Sequence, residues 1–363
     1  MKHPSSSAAT SPATGLVSPP GHVTPADVPP GIGPHRSGPG LDAAAYLADL
    51  QRAGIKVVPG SGHRHWMGYY ESMMRFPRFE TGPVAPNELR QVLRASGAKV
   101  LSYVLDVGPD RPANAWLYAC IDRNFELKRL ASTLQRAVRK GNRELTIGPI
   151  SLEQVLAYGE QAFCESHYRN GIWGANAEQF HRQFRERPLS AAHVYFGAWK
   201  GDQLAAFFSI VEVDDWCEID CSYSRNEYLP LRVNDALMFH VLSHYMRDRQ
   251  CRLASFGFSS VERTGKEAGL HRFKTKVGFS ALPVHRTFTL HPLLRPLINR
   301  ATLASVTLAL KALPRNRILK KTAGLLHCLL DKNPTLPGDE GPDDDASPAS
   351  PVDPSQSVPQ NRR

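Results

Sequence analysis

The chain has 363 residues, six cysteines, fourteen histidines and a formal net charge of +10. Its length allows a large core or two fused domains. The cysteines show no Cys-x-x-Cys spacing and the histidines are scattered along the chain, so neither a metal site nor a disulfide framework is expected. A reducing cytosol is the expected compartment, and the basic balance favours anionic partners without choosing among phosphate cofactors, nucleic acid and membrane surfaces.

Residues 1–40 are rich in Pro, Gly, Ser and Ala, and 333–363 in Pro, Asp and Ser. Neither stretch has enough large apolar side chains to offset the entropy of ordering, so both are expected to be disordered. Met1-Lys2 leads into Ser, Ala and Pro, without the apolar run of a secretory signal. No continuous apolar stretch reaches the length of a membrane span.

Between the tails, periodicity predicts a helix over 41–53, a short strand at 55–59, a helix or broken helix over 63–76 and a helix over 85–97. Strands follow at 98–107 and 115–122. Leu127, Leu130, Leu134, Ala137 and Val138 then fall on one helical face, with Arg129, Arg136, Lys140 and Arg143 mostly opposite and a glycine stop at Gly141. That basic face is either simply solvated or turned towards phosphate or RNA. A strand at 144–147 and helices at 152–168 and 176–187 come next. Strands at 192–200, 203–213 and 217–224 are joined by short turns. A helix at 231–249, a strand at 251–258, a short helix at 264–276 and a strand ending at 290 complete the order.

That order, and the phrases "RLASFGFSSVERTGKEAGLHRFKTKVGF" and "LKRLASTLQRAVRKGNRELTI", resemble the FemAB-like branch of the GNAT acyltransferases, over about 120–295. The resemblance implies an α+β GNAT fold with two packed halves: a short N-terminal half at 41–122 and a C-terminal domain at 123–292. It also implies N-acyl transfer from acyl-CoA to an amine on a small molecule or cell-envelope precursor. The alternatives are an aminoacyl-tRNA-dependent peptidyltransferase of FemX type, and a degenerate module that binds anionic surfaces. In this family the donor enters beside the strand before the central helix, and its phosphates meet that helix's start. Here this implies donor binding by Arg225, Arg232 and Asn234, but the loop lacks the glycines of the usual GNAT signature. The turn's Lys274 and Lys276 would face donor or acceptor.

Strand alternation in "CEIDCSYS" puts Glu218, Asp220 and Ser222 on one face, where paired carboxylates suit a general base. They serve equally as surface partners of arginines. His167 is a further candidate base. Glu165, Tyr168 and Trp173 lie where the resemblance implies the acceptor pocket. The segment 293–332 is apolar and basic, fitting either two packed helices or peripheral contact with an anionic membrane, at the inner face for a cytosolic protein.

Overall fold

The computed structural model describes residues 40–330 apart from 70, 173, 186–189, 262–266 and 315, and also 336. Trp173 and nearly all of both tails therefore lie outside the described residues. The α+β class expected from the sequence is the class observed, with one mixed sheet and helices packed on it.

The first part runs α1 (Ala43–Arg52), β1 (Val57–Pro59), β2 (His65–Tyr69), β3 (Ser72–Phe76), α2 (Pro86–Ser96), β4 (Val100–Leu105) and β5 (Ala115–Cys120). The helix expected over 63–76 is instead the β2–β3 hairpin, paired from His65↔Phe76 to Tyr69↔Ser72. Alternation wins because it buries Trp66, Met73 and Phe76 within the sheet.

The second part runs α3 (Ser132–Glu144), β6 (Thr146–Ile150), α4 (Leu152–Tyr158), α5 (Glu160–Arg169), α6 (Ala177–Arg185), β7 (His193–Lys200), β8 (Gln203–Val213) and β9 (Trp216–Ser224). It continues through α7 (Val233–Leu242), β10 (Leu253–Phe258), α8 (Glu267–Lys276) and β11 (Ser280–Leu290). The helices α9 (Arg300–Ala312) and α10 (Arg317–Leu330) follow. Three expected helices are subdivided. Arg129 belongs to a separate 3₁₀ turn, Leu127–Arg129, and reaches Asp122 at 3.1 Å. The helix over 152–168 breaks at Gly159, where a Cβ would lie 2.6 Å from the Val155 carbonyl and 2.9 Å from the Phe207 ring. Helix α7 passes into a π-helical turn, Ser243–Asp248.

The sheet order is β1-β2-β3-β4-β11-β5-β10-β9-β8-β7-β6. Two parallel pairs sit within it, β3–β4 joined by α2 and β9–β10 joined by α7. Between these units the chain exchanges strands: β5 lies antiparallel to β10, β11 lies antiparallel to β4, and β5 and β11 pair with each other. Phe163, Phe180 and Phe184 from α5 and α6 pack with Phe207 and Tyr223 of the sheet. Leu134 and Val138 of α3 share another cluster with Val233 and Leu237 of α7 and with Phe208 and Ile219. Each large side chain so buried contributes about 1.5–3 kcal/mol before entropy is counted, so both helical layers hold the central strands firmly.

Candidate active site

The parallel pairing of β9 and β10 covers Trp216↔Leu253 to Glu218↔Ser255 and ends there. Beyond it β9 continues against β8 to Ser224, while β10 shifts register against β5 between Ser255 and Phe258. The two strands diverge into a wedge with Glu218 at its apex. Gly257, at φ +64, makes the bend on the β10 side, and a Cβ there would approach Glu218 Oε1 to 3.6 Å. A left-handed conformation beside a carboxylate suits glycine.

Arg78 reaches this apex from the first part of the chain. It follows β3 and lies between Phe76 and Phe79, whose rings pack on Trp216 at 5.7 and 5.1 Å. Trp216 and Glu218 are two residues apart on one strand, so anchoring on the tryptophan delivers the guanidinium to the carboxylate. Arg78 grips Glu218 through two donors, Nε at 3.0 Å and Nη2. Burial works against the Arg78 guanidinium, but Glu218 and Asp220 outweigh it and hold it above its ordinary value. Burial also pushes the Glu218 carboxyl upward, with Arg78 opposing.

Lys274 completes the group. Its side chain is 4% exposed, donates to the Phe256 carbonyl at 2.7 Å, and lies 4.2 Å from the centre of the Tyr118 ring and 4.4 Å from that of Phe256. Desolvation lowers its pKa to about 7, partly offset by the charge of Glu218. The α8 terminus fixes this position: Val277 and Phe279 are buried, and Gly278, at φ +114, turns where a Cβ would meet the Phe125 ring at 2.5 Å. Tyr118, from β5, bonds His271 Nδ1 at 3.1 Å, and burial pushes its hydroxyl up to about 12.

The other expected site residues divide sharply. Asp220 is near Arg78, but the β8–β9 register passes from Ser209↔Cys221 to Ile210↔Ile219 and skips it. This bulge reverses the alternation, so Glu218, Asp220 and Ser222 do not form one continuous face, and Ser222 is exposed. Tyr223 joins the buried aromatic cluster under α5 and α6. His167 stacks on Tyr223 at 5.5 Å and its Nδ1 contacts the Phe163 carbonyl at 2.9 Å, within that aromatic layer. Glu165 accepts from the Asn226 amide and from Gln161, while Tyr168 is exposed.

Arg225 bonds Gln203 at 2.7 Å and also Glu227, and covers the Tyr228 ring. Asn234 donates to Ser224 at 3.2 Å, and Lys276 pairs with Asp235 in the first turn of α7 at 2.8 Å. Arg232 caps α7 at φ +63. The start of α7 thus carries its own side-chain pairs in place of a glycine-lined loop.

A cleft of about 590 Å³ adjoins the apex, bordered by Arg75, Arg78, Tyr103, Phe258, Arg286 and Leu325. Arg286 lies over Phe258 and Phe288 at 5.5 and 5.0 Å, and its Nε has no hydrogen-bond partner among the described residues. Desolvation lowers its pKa to about 10. Local sequence signals pointed to none of Arg78, Tyr118, Phe256 and Arg286, because their roles depend on strands distant in the chain. No group of three or more His, Cys, Asp or Glu side chains among the described residues is placed to hold a metal ion.

No family model matches the chain, and no curated protein matches it. Solved structures do resemble it. The C-terminal domain of an Agrobacterium fabrum protein assigned as a lysylphosphatidylglycerol synthetase is 19% identical, with 74% of this chain and 92% of that one covered and a TM-score of 0.46. FemX is 10% identical over 72% and 95%, with a TM-score of 0.49. L-PGS from Bacillus licheniformis is 12% identical over 78% and 99%, with a TM-score of 0.42.

Proposed function

We propose that this chain is an acyltransferase whose donor enters the β9–β10 wedge and whose acceptor occupies the adjoining cleft, the two meeting at Arg78–Glu218. The observation that carries this reading is Lys274, buried beside the wedge apex with its Nζ on the Phe256 carbonyl and against the Tyr118 and Phe256 rings, where desolvation lowers its pKa to about 7. A lysine poised near neutrality exchanges a proton at working pH, as a general base must. Glu218 is committed to Arg78 and serves to stabilise the ammonium that forms.

In the step envisaged, the acceptor nitrogen attacks the acyl carbonyl carbon and Lys274 Nζ takes its proton. The tetrahedral adduct then expels the donor's thiol or hydroxyl, which takes the proton back from the Lys274 ammonium as the bond to the acyl carbon breaks. Arg286, with no ion-pair partner among the described residues, selects an acceptor bearing a phosphate or carboxylate, as a small-molecule or envelope precursor would.

Acyl-CoA is the first donor reading. A second, aminoacyl-tRNA, is favoured by the exposed Arg136, Lys140 and Arg143 of α3 and by the glycine-free approach to α7. Thermal unfolding of the full chain against acyl-CoAs, with free CoA as control, tests the first reading. A selective rise lost in Lys274→Met supports it, since a ligand bound only by the folded state raises the midpoint. No rise with any thioester, together with aminoacyl-tRNA binding that weakens steeply with salt, moves the assignment to the second. Silence with both donor classes removes the acyltransferase reading and leaves a binding module for anionic surfaces.

A further inference from the structure

The segment 293–330 has a composition unlike the rest of the molecule. It contains seven Lys and Arg residues and no Asp or Glu. It also supplies five of the eleven exposed large apolar residues of the described chain: Leu293 (80% exposed), Leu297, Leu308 (67%), Leu313 and Ile318 (76%). Helix α10 sits on β11 and buries Ala323 and Leu326, whereas α9 lies on α10 and buries none of its residues. Arg300 and Lys311 are exposed at the two ends of α9.

From this we infer that the outer surface of α9, with the turns before and after it, docks on an anionic phospholipid bilayer. Exposed leucines interleaved with cations suit an interface where apolar tips enter the acyl boundary and ammonium and guanidinium groups meet lipid phosphates. The charge is complementary and the segment carries no acid to repel that surface. RNA would use the cations but leave the leucines in water, so the bilayer accounts for both features. The helix lies on the membrane: α9 has 13 residues, about 20 Å of helix against a hydrocarbon core of about 30 Å. Among the described residues no helix is long and apolar enough to cross. Leu294, Lys321 and Leu325 of the same segment border the cleft, so its mouth adjoins the docked surface.

This inference goes beyond the proposed reaction and is independent of it. Its test uses the full chain and no donor or acceptor: co-sedimentation with vesicles of phosphatidylcholine alone, and of phosphatidylcholine mixed with phosphatidylglycerol. Two double variants, Leu308→Ser with Ile318→Ser and Arg300→Ser with Lys311→Ser, change only exposed positions and should leave the thermal midpoint unchanged. The expected result is selective binding to the mixed vesicles, reduced roughly 10- to 30-fold in either variant. High salt should weaken the wild type towards the level of the charge variant. Absence of binding, equal binding to both lipids, or variants that bind like wild type would overturn it. So would RNA binding by these cations without vesicle binding, or a dimer that the leucine variant dissolves, since a different occupant would then cover this face.

Discussion

Lys274 links the electrostatics of the site to the stability of the fold. Its pKa is lowered, so between about 7 and the ordinary lysine value the unfolded chain binds a proton that the folded chain does not. Stability therefore rises with pH through that window and levels off above it. Lys274→Met should abolish this rise, which amounts to roughly 3–5 kcal/mol for a shift of this size, in chemical denaturation measured across the pH range. The same variant should lose about 10²- to 10⁴-fold in transfer rate. Wild-type kcat/KM should climb with an apparent pKa near 7. Lys274→Arg should not rescue it, because a guanidinium stays protonated; rescue by arginine would make the residue a fixed cation instead of a base.

Arg78 and Glu218 should behave as a unit. Arg78→Met strands the buried Glu218 carboxylate and costs about 3–5 kcal/mol, Glu218→Met leaves a part-exposed guanidinium and costs less, and the double change costs much less than Arg78→Met alone, as a double-mutant cycle of unfolding would reveal. Arg286→Met makes the opposite trade. Removing a half-buried cation with no ion-pair partner among the described residues should raise the unfolding midpoint while raising the acceptor KM, with kcat little changed.

At the scale of elements, helix packing offers a direct check. A Cβ at Gly141 of α3 would lie 2.5 Å from the Ala236 Cβ of α7. Gly141→Ala should therefore push the helices apart at about 1–3 kcal/mol, against a helical gain of about 0.5–1 kcal/mol, and the net loss is measurable by urea unfolding. The strands from β7 to β9 were legible because each is a run of strand length rich in aromatic and β-branched residues, and short polar turns separate them. The β2–β3 hairpin was not, since "HWMGYYESMMRF" lacks a strong turn dipeptide and its Trp and Met residues suit either period. The skipped Asp220 was equally hidden: a bulge is a property of two strands together, and one strand's alternation does not announce it.

Across the whole molecule, the candidate site was half legible. Lys274 and Glu218 stood in patterned segments, but Arg78 acts across 140 positions of sequence and sits in "FPRF" with nothing local to mark it. The lysine cluster 274–276 also proved to have two purposes: Lys274 enters the wedge, whereas Lys276 ties α8 to Asp235 of α7. The exchanged strands give a prediction at this scale. Residues 123–292 alone lack β5, and with it the partner of both β10 and β11, together with Tyr118 and Arg78. That fragment should show no cooperative unfolding transition, and adding the first part of the chain in trans should restore one.

The placement of β11 also has a consequence for synthesis on the ribosome. Its partners β4 and β5 are complete by residue 120, yet β11 itself spans 280–290. For the time it takes to translate some 160 intervening residues, at about 5–20 residues per second, the early sheet has an open edge of unsatisfied amides, a surface prone to mispairing. Nascent chains should therefore engage holdase chaperones until β11 emerges, and a stalled or truncated product ending before 280 should be the species that aggregates.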